Sequence, residues 1–359
     1  MTEFVVRIPA GTPWDRGVFV TGDAEPLGHW QPDTIRLAPH GDGTWRATLP
    51  LARGLRAKFL VTLGNWRTAE VNAISGELPP RDLLVFDSAE VDVHVLGWSR
   101  NSVAYHEHFG SSLLPNDRPI TVWLPPGYEQ NRDRHYPVFY LQDGQNLFDP
   151  ELAFGGNPWR VDETAERLIR TREVRPMIIV GVGNSPDRLR EYGPRTKRTG
   201  VADLAKNYGQ FLVDELKPFI DHHYRTLKGP TDTAIGGSSM GGLISLHICR
   251  WHPQTFGMCA AMSPSLWWNR QAFLRTIKTR TTWLRHCRIW LDFGTREGSN
   301  QAGALAGLIR TRTLAATLRE LGLQDERDFA YREIQDGEHN ESAWRIRFHE
   351  VLRFLFGTG

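Results

Sequence analysis

The chain has 359 residues, 40% of them hydrophobic, with 43 Lys and Arg against 41 Asp and Glu for a net charge of +2. At roughly 150 residues per domain that length suggests about two domains. The apolar content excludes a chain dominated by disorder, and the balanced charge excludes the basic field of a nucleic-acid binder.

In chain order, the first 97 residues read as all-β. Short β-branched and aromatic runs at Phe4–Ile8, Gly17–Thr21, Thr44–Leu49, Ala57–Thr62, Leu83–Phe86 and Val91–Val95 are separated by Gly, Pro and Asp clusters. Such spacing predicts a small immunoglobulin-like sandwich, here residues 1–97. From about Asn101 the pattern changes. Apolar strands are expected at Thr121–Leu124, Val138–Leu141, Met177–Val182, Ala234–Gly237, Phe256–Met262, Ile289–Phe293 and Phe329–Ile334. Helices are expected at Val161–Thr171, Asn207–Tyr224, Met240–Arg250, Leu305–Leu321 and Ser342–Phe356. This alternation predicts an α/β domain over residues 98–359, a mainly parallel sheet with helices on both faces.

The three cysteines, Cys249, Cys259 and Cys287, lie in apolar neighbourhoods with no CxxC pair, which argues for buried thiols rather than a disulfide framework. The chain opens without a basic, then apolar, leader, so a cytoplasmic location is the expectation. The longest uncharged run, Thr233–Cys249, is too rich in Gly and Ser for a membrane span. His106-Glu107-His108 and His222-His223 lack the spacing of a metal site, so no metal and no cofactor are expected.

The sharpest motif is Gly237-Ser238-Ser239-Met240-Gly241, a G-x-S-x-G between a strand and a helix. A serine hydroxyl can attack a carbonyl only if a tight turn presents it clear of the backbone, and flanking side chains would clash in that turn. The N–H after the serine, on Met240, then faces the developing oxyanion. The general base is expected at His339, in Gly337-Glu338-His339-Asn340 after a strand and before the last helix. For the carboxylate that orients it, Glu297 is favoured because it lies in the loop beyond a strand; Asp292, still inside that strand, is the alternative. A second oxyanion amide is expected from Gln145, in the turn Gln142-Asp143-Gly144-Gln145-Asn146.

On these residues the chain from about 101 onward resembles the branch of the α/β-hydrolases that holds enterochelin esterases, feruloyl and acetyl-xylan esterases and mycolyltransferases. The matching stretches include Val122-Trp123-Leu124-Pro125-Pro126-Gly127-Tyr128, Leu141–Phe148, Gly236–Gly242, Ser263–Trp268, Gly294–Glu297 and Gly337–His339. The resemblance implies an α/β-hydrolase fold, Ser239 as nucleophile, His339 as base and an acid in the Gly294–Glu297 turn. Residues 1–97 resemble the starch-binding-domain-like carbohydrate-binding modules, through Leu27-Gly28-His29-Trp30, Asp42-Gly43-Thr44-Trp45, Lys58-Phe59, Trp66 and Asn72. That resemblance implies glucan stacking on Trp30 and Trp66 with a hydrogen bond from Lys58; the competing reading places these indoles in the sandwich core.

The triad fixes a reaction class and leaves the ester open. Trp267 and Trp268 are candidate walls of an aryl or acyl pocket. The run Arg188, Arg190, Arg195, Lys197 and Arg198 forms either a rim for an anionic substrate or a solvated face. The expected partner is a small-molecule or glycan-linked ester, with neither nucleic acid nor membrane. The leading reading is a serine carboxylic-ester hydrolase. The alternatives are a carbohydrate-binding protein that uses the hydrolase domain as a scaffold, and an acyltransferase to a sugar.

Overall fold

In a computed structural model the chain is described over residues 1–10, 12, 17–72, 78–86, 90–99, 102–194 and 204–358. The N-terminal part contributes β1 (Thr2–Arg7), β2 (Val18–Gly22), β3 (Ile35–Pro39), β4 (Thr44–Leu49), β5 (Arg56–Thr62), β6 (Arg81–Leu84) and β7 (Glu90–His94). Their hydrogen-bonded order is β6-β5-β2-β3-β4-β1-β7. Strand β3 pairs with β2 through Ile35–Leu37 and with β4 through Ala38 and Pro39, so it passes from one layer to the other. The layers close on each other where Phe4 of β1 meets Phe59 of β5, ring edge to ring face, at 5.3 Å. This is the expected sandwich. The added strand, β3, buries only Leu37 and ends in proline, so its alternation is too weak to stand out in the sequence.

The second sheet has eight strands: β8 (Ser102–Phe109), β9 (Arg118–Leu124), β10 (Val138–Gln142), β11 (Ile178–Val182), β12 (Thr233–Ser238), β13 (Met258–Met262), β14 (Arg288–Gly294) and β15 (Phe329–Ile334). Their order is β15-β14-β13-β12-β10-β11-β9-β8. From β11 to β15 the pairings are parallel, while β9 runs antiparallel to both β11 and β8. Successive residues of a strand point to opposite faces. Thus Phe139 and Leu141 of β10 join one apolar core, while Val138 and Tyr140 join the other. The first core is covered by α1 (Val161–Arg170) and by α8 (Glu341–Phe356), which follows β15.

The opposite face is covered by a helical run that begins with α3 (Ala205–Phe211), passes through a π turn at Leu212–Leu216 and ends as α4 (Lys217–His223). The π turn stands directly before Pro218, where a regular helix would lose an N–H and meet the ring; widening the turn relieves both. Helices α5 (Met240–Trp251) and α7 (Gln301–Glu320) complete this face. Two short helices, α2 (Arg188–Tyr192) and α6 (Trp268–Thr276), and the edge strand β8 are additions to the expected elements. Among the described residues no helix is long and apolar enough to cross a membrane.

Candidate active site

Strand β12 delivers Ser239 into the sharp turn before α5, with φ 54° and ψ −120°, a region in which non-glycine residues are strained. Packing holds the strain in place. The Ser239 N–H donates to the Met262 carbonyl at 3.0 Å, and the Ser239 carbonyl accepts from the Ser265 N–H at 3.0 Å. Glycine is required on both flanks because the end of β10 passes close by. A Cβ on Gly237 would stand 2.9 Å from the Gln142 Cβ, and one on Gly241 would stand 3.0 Å from it.

The Ser239 hydroxyl lies 2.9 Å from His339 Nε2 and 3.2 Å from the Ser265 hydroxyl. His339 follows β15, and its neighbour Asn340 caps α8 by accepting from the Ala343 N–H at 2.9 Å. The imidazole stands edge-on to Trp344, ring centres 5.0 Å apart. Its Nδ1 is 2.9 Å from Glu297 Oε2. The strands bearing the acid and histidine loops end side by side, and the Arg296 N–H donates to the Gly337 carbonyl at 3.0 Å.

Glu297 is almost fully buried. Its Oε1 accepts from the Gly294 N–H at 2.7 Å, the Ser263 hydroxyl at 2.5 Å and Arg347 Nη2 at 3.1 Å. Asp292 is fully buried and turned elsewhere. Its carboxylate meets Arg347 Nη2 at 3.0 Å, the Ser263 N–H at 3.1 Å and the Trp290 indole N–H at 2.8 Å. Burial pushes the Asp292 carboxyl above the usual range, and Arg347 opposes the shift. The histidine therefore faces the loop carboxylate, while the strand carboxylate faces an arginine. Arg347 is the site residue that sequence reasoning missed. It falls on the buried stripe of α8 with Trp344, Phe348 and Val351. A charged residue at core spacing needs a buried partner, and that is the signal by which it could have been found.

The other expected oxyanion element also lies at a strand end. Met240 opens α5, and Gln145 sits in the turn Gly144–Asn146 after β10. Asp143, at φ 56°, anchors that turn: its carboxylate accepts from Arg188 Nε at 2.6 Å, Arg188 Nη2 at 2.8 Å and Asn184 Nδ2 at 2.9 Å. Backbone N–H groups at strand ends of this kind can stabilise a developing oxyanion.

A cleft of about 690 Å³ opens beside His339 and is lined by Trp267, Phe293, Arg296, Arg310 and Glu338 among others. Of the two expected indole walls, only Trp267 faces it, 55% exposed. Trp268 turns away, its indole N–H donating to the Pro194 carbonyl at 3.1 Å, because the ring packs on the backbone at Gly193. Arg190 does not line the cleft either; it pairs with Asp187 at 2.8 Å, and Arg188 is committed to Asp143. Arg195, Lys197 and Arg198 lie outside the described residues.

The two indoles expected to stack on a glucan do not form an open platform. Trp66 is 4% exposed and packs with Leu60 and Ala69, and half-buried Trp30 tilts against it with ring centres 6.2 Å apart. Arg160, Glu163 and Arg345 face the same narrow cleft from the hydrolase side. Lys58 has an exposed side chain, and its backbone N–H donates to the Asp23 carboxylate at 2.8 Å. Among the described residues no group of three or more His, Cys, Asp or Glu side chains converges as metal ligands. His106 faces the Tyr224 hydroxyl and His108 faces Asp117.

The chain is similar to YbbA of Bacillus subtilis, an uncharacterized protein, at 23% identity over 249 residues, 67% of this chain and 93% of that one. It is similar to the iron(III) salmochelin esterase of Escherichia coli at 27% identity, over 52% of this chain and 44% of that one. Among solved structures, the enterobactin esterase of Shigella flexneri shares the fold over 98% of this chain and 92% of its own, with a TM-score of 0.56 and 18% identity. The family described as "Putative esterase" matches residues 111–355, which takes in the elbow, the acid loop and the histidine loop, and the chain belongs to that family of carboxylic-ester hydrolases.

Proposed function

We propose that the chain is a serine hydrolase working through an acyl-enzyme, with Ser239 as nucleophile, His339 as general base and acid, and Glu297 as the carboxylate that orients the histidine. The observation that carries this reading is the continuous relay from the Ser239 hydroxyl through His339 to Glu297, both links at 2.9 Å. Ser239 Oγ attacks the ester carbonyl carbon while His339 Nε2 takes its proton. The carbonyl π electrons move onto oxygen, where the N–H groups of Met240 and Gln145 stabilise the charge. Collapse breaks the bond to the alkoxy oxygen, which takes the proton from His339 and leaves as the alcohol. Water then attacks the acyl group as His339 removes a proton from it, and the carboxylic acid departs as Ser239 regains its hydrogen. Glu297 Oε2 accepts the Nδ1–H of the imidazole in both halves and so fixes its tautomer.

The exposed indole of Trp267 and the phenyl ring of Phe293 suit an aryl or short apolar group near the scissile bond. Siderophore esters, as for the salmochelin esterase, and feruloyl or sugar-linked esters therefore form the substrate panel. The test of the chemistry is Ser239→Ala on p-nitrophenyl acetate and butyrate. Turnover is expected to fall by at least about a thousandfold, the scale on which loss of a triad serine acts. Wild-type rates in that variant would overturn the assignment.

A further inference from the structure

Arg310 stands in the third turn of α7 and lines the cleft beside His339. Its Nε is closed off from solvent, and no described residue accepts a hydrogen bond from it. Arg296, which lines the same cleft, pairs with Asp336 at 2.8 Å. Among the described residues Arg310 has no carboxylate within pairing distance. A guanidinium that lines the cleft without a carboxylate partner can meet an incoming anion through charge-assisted hydrogen bonds.

The walls of the cleft give the orientation. It is lined by His339 and its neighbours Glu338 and Asn340, and neither Met240 nor Gln145 borders it. His339 must hand its proton to the departing alkoxide, so the histidine side of the scissile bond is the alcohol side. The cleft therefore receives the alcohol portion of the ester. Trp267 and Phe293 supply apolar wall in the same cleft, which calls for a flat or apolar spacer. Glu338 sits beside His339 in sequence, with Asn340 Nδ2 on its carboxylate at 2.9 Å, and its charge disfavours an anion on the histidine loop. That leaves Arg310 as the place for negative charge.

The geometry points to Arg310 as an anion subsite for the leaving alcohol: the preferred esters are those of hydroxy acids, with a carboxylate separated from the ester oxygen by an aromatic-sized spacer. This deepens the serine-esterase reading and rests on it for turnover, though not for binding. The kinetic test uses p-acetoxybenzoate and its neutral isostere p-acetoxybenzamide, which share the acyl group and the shape of the alcohol. Each kcat/KM is divided by the rate of the uncatalysed hydroxide reaction, to remove the difference in leaving-group reactivity. The wild-type protein is expected to prefer the benzoate by about tenfold or more, the scale of one charge-assisted pair, mainly through KM. Arg310→Met brings the ratio to near one, and Arg310→Lys restores part of it. The binding test is calorimetry of p-hydroxybenzoate and p-hydroxybenzamide on the Ser239→Ala protein, with and without Arg310→Met. Tighter binding of the acid that vanishes with Arg310 supports the subsite, even if neither ester is turned over; failure of turnover would then count against the esterase reading alone. Equal binding of acid and amide, or a preference untouched by Arg310→Met, overturns the subsite whatever the fate of the esters.

Discussion

Asp292 and Glu297 are both buried carboxylates near one arginine, and their surroundings divide their roles. Glu297 offers one oxygen to the histidine and fills the other with the Gly294 N–H, the Ser263 hydroxyl and Arg347. Asp292 spends its oxygens on Trp290, the Ser263 N–H and Arg347. Glu297→Gln keeps the shape but removes the acceptor charge behind the imidazole. We expect kcat on p-nitrophenyl esters to fall by about a hundredfold or more, with KM little moved, as when a triad acid loses its charge. Asp292→Asn leaves the relay in place and is expected to lower kcat less than about tenfold. Its effect is on stability, because Arg347 then loses one of its two carboxylates. If Asp292→Asn were the more damaging of the two in kcat, the acid would have been misassigned. That His339 faces the loop carboxylate was legible in the sequence, since a loop residue can turn toward a histidine and a mid-strand residue is fixed by the pleat. Arg347 was harder to see, because its partners come from β14, the loop after it and the loop after β13, far away in the chain.

At the level of elements, the turn after β10 depends on α2. Asp143 takes the left-handed conformation before Gly144 and Gln145, and Arg188 grips its carboxylate with two nitrogens while lying over the Tyr192 ring at 4.9 Å. A Cβ on Gly241 would stand 3.4 Å from that carboxylate, so one ion pair links the turn, the elbow and α2. Arg188 acts through Asp143, as a positioning residue. Arg188→Met is expected to lower kcat by about ten- to a hundredfold with a smaller change in KM, because a displaced amide weakens binding of the oxyanion more than of the ester. Arg188→Lys, which can satisfy one carboxylate oxygen but not both, should recover only part of the loss. An unchanged kcat in Arg188→Met would mean that the turn holds its shape without the pair. The basic run that includes Arg188 left a substrate rim and a solvated face both open, because charge is visible in a sequence and pairing is not. The partner of Arg188 lies 45 residues upstream, at the end of the neighbouring strand. The long parallel strands and amphipathic helices were legible from period and apolar content, and the elbow from its glycines. Strand β3 and the short helices α2 and α6 were not, because their few turns and exposed faces leave almost no periodic signal.

Across the whole molecule, the sandwich and the hydrolase sheet are joined by charged and polar contacts. Arg67, next to Trp66, meets the fully buried Asp162 of α1 at 2.6 Å and donates to the Phe148 carbonyl at 2.9 Å. Two turns on, Arg170 donates to the Glu70 carbonyl at 2.9 Å and pairs with Glu166, which also accepts from the Ser99 hydroxyl at 3.0 Å. We propose that residues 1–97 form one domain and 98–359 the other, and that these contacts make them unfold together. A single calorimetric transition is the expected result; two separated transitions would count against the coupling. Arg67→Met tests the joint directly. It leaves Asp162 buried without its cation, at about 2 kcal/mol, below the full effect of a broken buried pair because Arg67 is partly exposed. Burial already holds the Asp162 carboxyl above the usual range, and Arg67 opposes that shift, so removing Arg67 raises it further. A carboxyl raised in the folded state binds its proton there more tightly than in the unfolded chain. Its folded-state contribution is therefore greatest at low pH and is lost as pH rises through the folded value. The gap in melting temperature between wild type and Arg67→Met should accordingly be small near the ordinary carboxylate range and widen toward pH 7, measured at constant ionic strength. A gap that stayed constant with pH would show that Asp162 does not carry the coupling between the two domains.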